Sequence, residues 1–274
     1  MSEIDFDQTL ASGLRAYNTT VGQWWVGKTR NAAHAAAYKN IAGHVAQCAR
    51  GGGGLIIDYG CGTGRLMKRL VEALPAWRFL GIDGSKVMLG DAETWARARR
   101  KGRATPVEFR LAKLPDFSAS IPKADIIVFT FPNIVSVASG RRKFEGIFPK
   151  DRNLARFLAL KQEEGEKAEA LYDSLFMSRV VARNLRFLLR KGGLCVRVDY
   201  SQGARHELTR FDKLATLFEE GSLNAKQSRL QPQRFFKLLY SQYYPSAVIR
   251  DVYDQTKDKD FLEGGYLVSL LKAV

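Results

Sequence analysis

The chain has only three cysteines in 274 residues, Cys48, Cys61 and Cys195, with no C-x-x-C pair and no Cys/His cluster at metal-ligand spacing. Neither a disulfide framework nor a structural zinc site is expected. Long hydrophobic runs are missing too. No apolar stretch approaches the roughly 20 residues that a membrane-spanning helix needs, and the N-terminus, MSEIDFDQTLASGLRAYNTT, is acidic and polar without the apolar centre of a secretory signal. The expectation is a soluble, cytoplasmic chain with no membrane span. There is no internal repeat and no long low-complexity tract, which argues against a solenoid or a disordered tail. Acidic residues are few, 28 Asp+Glu against 43 Lys+Arg, for a net charge of +15. Such a balance favours anionic partners: nucleic acid, phosphorylated metabolites or a membrane surface. The basic residues nevertheless recur along the whole chain, and their densest groups, 97–103 and 141–143, fall where helix ends and loops are expected. A solvated basic surface is the preferred reading.

Against these absences stands a strong alternation of short β-branched runs with amphipathic stretches, the pattern of parallel strands joined by crossover helices. Strands are predicted at 55–58, 78–82, 107–111, 125–130 and 194–199, and helices at 63–74, 85–100 and 171–189. The last helix is expected to end at Lys191-Gly192-Gly193, basic residues followed by C-capping glycines. An Ala-rich helix at 32–50, closed by Gly51 to Gly54, precedes the first strand. At the far end, 247–253 and 266–272 read as strands joined by the polar loop 254–265, too short for a parallel crossover. The fold class is therefore α/β, a doubly wound, mostly parallel seven-stranded sheet with an antiparallel C-terminal hairpin. Two segments, 131–170 and 201–245, exceed what connections need and follow strand C-terminal ends, where open α/β sheets keep their crevice. They are expected as helical lid insertions in a domain spanning 51–274, with 1–50 as an arm closing over the ligand. Extra helices padding the sheet edge would look the same.

The most informative run is Leu55-Ile56-Ile57-Asp58-Tyr59-Gly60-Cys61-Gly62-Thr63-Gly64-Arg65-Leu66, a buried strand entering a glycine turn and then a helix. A side chain at Gly60 or Gly62 would stand between the turn and a ligand, and Gly64 lets the helix start pack closely. The next strand ends at Asp83, 19 residues after Gly64, where a carboxylate can accept both hydroxyls of a ribose. The glycines run G-x-G-x-G rather than G-x-G-x-x-G, so the turn is not built for a pyrophosphate.

Asp-Tyr-Gly-Cys-Gly-Thr-Gly resembles motif I of the class I S-adenosylmethionine (SAM) dependent methyltransferases, and Gly81-Ile82-Asp83-Gly84-Ser85 resembles the acidic loop that follows it. The resemblance covers 54–199 and the closing hairpin, not the lid segments. It implies SAM as cofactor and a set of contacts. Gly60, Cys61 and Gly62 would pass their backbone along the methionine moiety, with Asp58 near its amino group. Asp83 would hold the ribose, and Gly84 would flank the adenine. The family often carries an acidic residue after the third strand, but this chain has Leu111 there, so apolar contact from Leu111 and backbone amides near Ala112 would hold the adenine. Thr130 and Phe131 would lie beside the transferring methyl group. Segments before the first helix often close over SAM in this family. On that basis Tyr17, Trp24, Trp25 and Arg30 would cover the sulfonium or bind the cofactor carboxylate, although a Trp pair packing the arm onto the core is an equal alternative.

Other motifs compete. Gly22-Gln23-Trp24-Trp25-Val26-Gly27-Lys28-Thr29 satisfies the P-loop pattern, but the residues before it are polar rather than a buried strand. Phe131-Pro132-Asn133 keeps one proline of the (Asp/Asn/Ser)-Pro-Pro-(Tyr/Phe) motif of amino-methylating relatives and lacks its first polar residue. Arg234 to Tyr244 interleaves bases with aromatics, as single-strand nucleic-acid binders do, yet an amphipathic lid helix is preferred. His34 and His44 read as structural or exposed. Asp199, Tyr200 and His206, after the fifth strand, are the candidates for a catalytic base. No metal is implied.

The expected activity is methyl transfer from SAM to a small molecule enclosed by the lid, with the charge balance favouring an anionic one. Two alternatives stay open: an RNA or protein acceptor on the basic surface, with nucleic acid not favoured, and a non-catalytic SAM-binding scaffold. The acceptor and the oligomeric state are not legible.

Overall fold

The structure, a computed structural model, describes residues 18, 20–49, 51–99, 107–112, 120–131, 182, 184–201, 235–252 and 264–274. In chain order these form α1 (Thr20–Lys28), α2 (Ala32–Cys48), β1 (Leu55–Tyr59), α3 (Arg65–Ala73), β2 (Arg78–Asp83), α4 (Lys86–Arg99), β3 (Val107–Leu111), β4 (Ala124–Thr130), β5 (Leu189–Ser201), β6 (Phe236–Pro245), α5 (Val248–Val252) and β7 (Gly265–Ala273). The strands make one seven-stranded sheet in the order β3-β2-β1-β4-β5-β7-β6. Strands β1 to β5 run parallel, and β7 is antiparallel to both β5 and β6.

The mostly apolar strands β1 and β4 occupy the centre of the sheet because both their faces are covered. Every residue of β1 is buried. One face packs Ile56, Val128, Val196 and Val198 against α2 and α3. The other packs Ile57, Ile127 and Cys195 against Leu185 and Leu188, in a helical stretch that runs straight into β5. Helix α3 turns Leu66, Met67, Leu70 and Val71 inward, a stripe with helical spacing. Helix α2 buries His34, Ala37, Ile41, Ala42, His44 and Val45, and Asn31 caps it by accepting the His34 backbone N–H at 2.8 Å.

Four expectations are corrected at the C-terminal half. The hairpin is made by β6 and β7, and 247–253 is no strand: its core is α5, in which Val248 and Ile249 are fully buried. Val248, Ile249 and Val252 fit one helical stripe as readily as a strand, and the contacts of α5 with α1, α2 and β7 decide between them. The stretch 234–244, expected as an amphipathic lid helix, is mostly β6. A register shift between Leu238 and Tyr240 bulges the strand at Leu239. Phe236 and Leu238 therefore face one core, and Tyr244 packs on the other. The insertion expected at 201–245 thus begins and ends in sheet, while its remainder, and nearly all of 131–170, lie outside the described residues. Finally, β5 starts at Leu189 rather than 194, so Lys191-Gly192-Gly193 interrupts the pairing with β4 as an irregularity inside the strand instead of capping a helix.

Candidate active site

The turn after β1 is strapped to the tip of β2. Gly60, Gly62 and Gly64 all have positive φ, at 79°, 52° and 72°. The N–H groups of Gly60 and Cys61 donate to the Ile82 carbonyl at 2.7 and 3.0 Å, and that of Gly62 donates to Asp83 Oδ2 at 2.8 Å. Ser85 N–H donates to Asp83 Oδ1 at 2.8 Å. A Cβ on Gly60 would meet nothing within 4 Å, so that side of the turn faces open space. A Cβ on Gly64 would approach Ala92 Cβ at 3.3 Å and Phe109 Cζ at 3.4 Å, so the start of α3 sits directly on α4 and β3. The Ala112 N–H donates to the Asp83 carbonyl at 3.0 Å, which leaves Leu111, 53% exposed, as the outward group at the end of β3.

Asp58 is 1% exposed, and among the described residues neither of its carboxylate oxygens has a hydrogen-bond partner. Burial, and then the Asp83 carboxylate, push it up to about 7. A buried acid in this state lacks a cation. Tyr38 beside it is pushed up to about 12, first by burial and then by Asp58, so it remains a neutral phenol. Arg65 turns away from the turn: its Nη1 donates to the Thr29 carbonyl at 2.5 Å, tying α1 and its exit to the start of α3. An orphaned carboxylate, an open glycine turn and an acid at the tip of β2 fit a ligand that presents an ammonium group and a ribose diol.

Beside this turn, at the C-terminal ends of β4 and β5, stands an aromatic wall. Phe131 and Tyr200 stack with ring centroids 4.5 Å apart and an interplanar angle of 23°. His34 meets Phe131 edge-on at 5.6 Å, and its Nε2 lies 3.0 Å from Tyr200 Oη. Tyr266 packs edge-on against Phe131 at 6.0 Å and accepts a hydrogen bond from Asn40 Nδ2 at 2.9 Å. Further along α2, His44 bridges Tyr240 at 2.9 Å and Tyr244 at 2.6 Å. Phe131 has φ 46°, a strained value for a residue with a Cβ, and its N–H is held by the Val198 carbonyl at 2.8 Å.

Asp58, Gly60, Cys61, Gly62, Asp83 and Gly84 thus come together at one turn, with Thr130, Phe131 and Tyr200 beside it. Asp199 points to the opposite face from Tyr200, where its two oxygens meet the Arg197 guanidinium at 2.6 and 2.9 Å. That ion pair holds it on the face away from the aromatic wall. Arg30 is exposed and reaches Asp91 at 3.9 Å, and half-buried Trp25 lies in α1. The P-loop pattern also falls in α1 and the turn after it, where a helix offers no phosphate cradle. Tyr17 and His206 lie outside the described residues. Sequence reasoning missed Tyr38, and it did not foresee that both histidines of α2 are buried and hydrogen-bonded across the fold. The one available signal was their spacing, since residues 34, 38 and 41 share a helix face. Among the described residues no group of three or more His, Cys, Asp or Glu could hold a metal, and no helix is long and apolar enough to cross a membrane.

Residues 57–144 match the profile of a methyltransferase domain family. That stretch is a methyltransferase domain, and the seven-stranded sheet around it has the fold of SAM-dependent methyltransferases. The same fold is seen in magnesium protoporphyrin IX methyltransferase from Synechocystis PCC 6803 with bound SAH (TM-score 0.54, 12% identity), a match covering 97% of this chain and 100% of that one. The plantazolicin methyltransferase BpumL, in complex with a monoazolic desmethylPZN analog and SAH, gives a TM-score of 0.52 at 11% identity, over 98% of this chain and 96% of that one. At these identities the likeness is one of fold. No curated protein sequence matches the chain.

Proposed function

We propose that this methyltransferase acts on a small molecule bound against the aromatic wall, with the cofactor held by the β1 turn. Asp58 would take the ammonium group of the cofactor, the Gly60–Gly62 backbone would line its methionine chain, and Asp83 would hold the ribose. Leu111 would cover the adenine by apolar contact. The arm up to residue 50 would close over this site. Bound SAM supplies a methyl group already activated on a sulfonium. The chain therefore has to align the acceptor and exclude water, and it can do so without a catalytic triad.

The observation that carries the acceptor class is the chemistry of the wall. His34, Tyr38 and Tyr266 are held neutral, and Phe131 carries no charge. Stacked rings backed by phenols and a neutral imidazole suit a compact organic acceptor, whereas an RNA platform uses cations for phosphate contacts. The +15 balance favours an acceptor that carries negative charge elsewhere in its structure.

The test is transfer of a tritiated methyl group from SAM into a cell extract divided into small-molecule filtrate, RNA and protein. Label in the filtrate is the expected result. Label confined to RNA or protein overturns the acceptor class. Calorimetric binding of SAH with no label in any fraction would favour the non-catalytic scaffold.

A further inference from the structure

The tips of β2 and β3 lie side by side, and their polar groups are already engaged. Leu111 stands in register with Asp83, so the two side chains share one face of the sheet. Gly84 lies against Ala112: a Cβ on it would sit 3.7 Å from the Ala112 carbonyl oxygen. The Ala112 N–H, expected from the sequence as an adenine contact, donates instead to the Asp83 carbonyl at 3.0 Å. On the other side of Gly84, Asn18 Oδ1 accepts the Lys86 N–H at 2.9 Å and the Ser85 hydroxyl at 3.3 Å, and Ser85 Oγ accepts the Met88 N–H at 3.4 Å. The Asp83 carboxylate is itself held by the N–H groups of Gly62 and Ser85. What the tip of β3 turns outward is the Leu111 side chain, 53% exposed.

A ribose held by Asp83 would carry its base to Gly84 and Leu111. There the amino edge of an adenine meets an apolar side chain, and the other polar groups described at these tips are bonded to one another. An exocyclic amine is distinguished from an oxygen only by a group built to pair with it, whereas apolar contact responds to shape and area. From this, and resting on the cofactor reading above, we propose that Leu111 makes the protein indifferent to the exocyclic amino group of its cofactor's purine. Analogues that carry an oxygen or a methylated amine at that position bind as SAH does, and the base is held by the area of its ring. Leu111 is then a specificity-determining residue that widens the range of cofactors, because the side chain at the end of β3 offers no hydrogen bond.

The test is calorimetric binding to the full chain and needs no acceptor. The ligands are SAH, its derivative methylated on the exocyclic amine, S-inosylhomocysteine, in which oxygen replaces that amine, and S-ribosylhomocysteine, which lacks the base. SAH, the methylated derivative and S-inosylhomocysteine are expected to bind within about threefold of one another, less than the loss of a typical hydrogen bond. S-ribosylhomocysteine should bind about 100-fold more weakly, because the apolar area of the ring is no longer withdrawn from water. Leu111→Asp, at an exposed position, supplies the missing partner and should make SAH bind about tenfold better than S-inosylhomocysteine, the effect of one hydrogen bond to a charged group. Leu111→Ala should weaken both ligands equally. A larger preference of the wild-type protein for SAH over S-inosylhomocysteine overturns the proposal, since another group, the Ala112 carbonyl for one, then reads the amine. Equal binding of SAH and S-ribosylhomocysteine also overturns it, because no base then rests at the tip of β3, and so does a Leu111→Asp variant that fails to discriminate. Failure of the wild-type protein to bind SAH is a different result: it removes the cofactor reading beneath the proposal.

Discussion

The β1 turn and the aromatic wall sit side by side on one edge of the sheet, and they are built in opposite ways. The turn is local. Its longest hydrogen bond, from Gly60 to the Ile82 carbonyl, spans 22 residues. The wall joins His34 to Tyr200, 166 residues apart, His44 to Tyr244, 200 apart, and Asn40 to Tyr266, 226 apart. Their electrostatics differ as well. In the turn a buried carboxylate has no hydrogen-bond partner among the described residues, whereas the wall pairs its polar groups with one another, His34 with Tyr200, Asn40 with Tyr266, and His44 with Tyr240 and Tyr244. An unpaired charge makes a site that is completed by its ligand. A paired, neutral network makes a surface already set in the free protein.

The sharpest way to break this contrast is Asp58→Asn. Removing one partner of a buried charge pair should weaken SAH binding on the order of 100-fold, measured by calorimetry. The same change should raise the melting temperature of the ligand-free protein, because an acid that resists ionisation is gone. An unchanged affinity would show that Asp58 holds no cation. Gly81→Val attacks the support of the turn. A Cβ there would come within 2.5 Å of the Phe109 ring and 2.9 Å of Cys61 Sγ. Overpacking of that kind should cost about 3 kcal/mol in urea denaturation.

The pH dependence separates the two regions by sign. His34 in the folded chain lies near 4 against 6.5 unfolded. The unfolded chain therefore binds the extra proton, and the stability from the wall is complete above 6.5 and lost as the pH falls towards 4. By linkage the loss approaches about 3 kcal/mol. Asp58 lies near 7 folded against 3.8 unfolded, so it acts the other way, and its contribution is lost as the pH rises from 3.8 through 7. Stability of the ligand-free protein measured across this range should show both slopes, and Asp58→Asn should remove only the alkaline one. SAH should bind more tightly as the pH rises through about 7, since the ionised carboxylate is the form that pairs with an ammonium. The smallest effect is expected from Tyr244→Phe, which removes one bond to His44 at the far end of the wall. It should cost about 1 kcal/mol of stability and leave SAH affinity as it was. A large loss of affinity would show that the two regions are coupled.

The elements read most closely from sequence were those whose neighbours in space are also neighbours in the chain. Strand β3 was bounded to the residue, and β1, β2, β4, α2, α3 and α4 to within about two, because each has its own periodicity and its own glycine or capping residue. The errors fell where two periodicities fit one segment. Residues 247–253 and 234–244 were exchanged between strand and helix because short apolar runs admit either, and the partner that decides, β7, comes later in the chain. At the site, the turn was legible because glycine spacing and a single acid carry it. Of the wall, Thr130, Phe131 and Tyr200 were singled out by their position at strand ends, but nothing in their spacing revealed His34 or Tyr38 beside them.

The sequence alone therefore determined the parallel sheet, the glycine turn and the acids at its two ends, since local backbone geometry and short-range hydrogen bonds suffice to make them. Only the tertiary structure decided that Asp58 is buried with no hydrogen-bond partner among the described residues, that Asp199 pairs with Arg197, and that α2 lays His34 against Tyr200. Those outcomes depend on which face of each strand a distant helix covers, and packing sets that once the whole sheet has assembled.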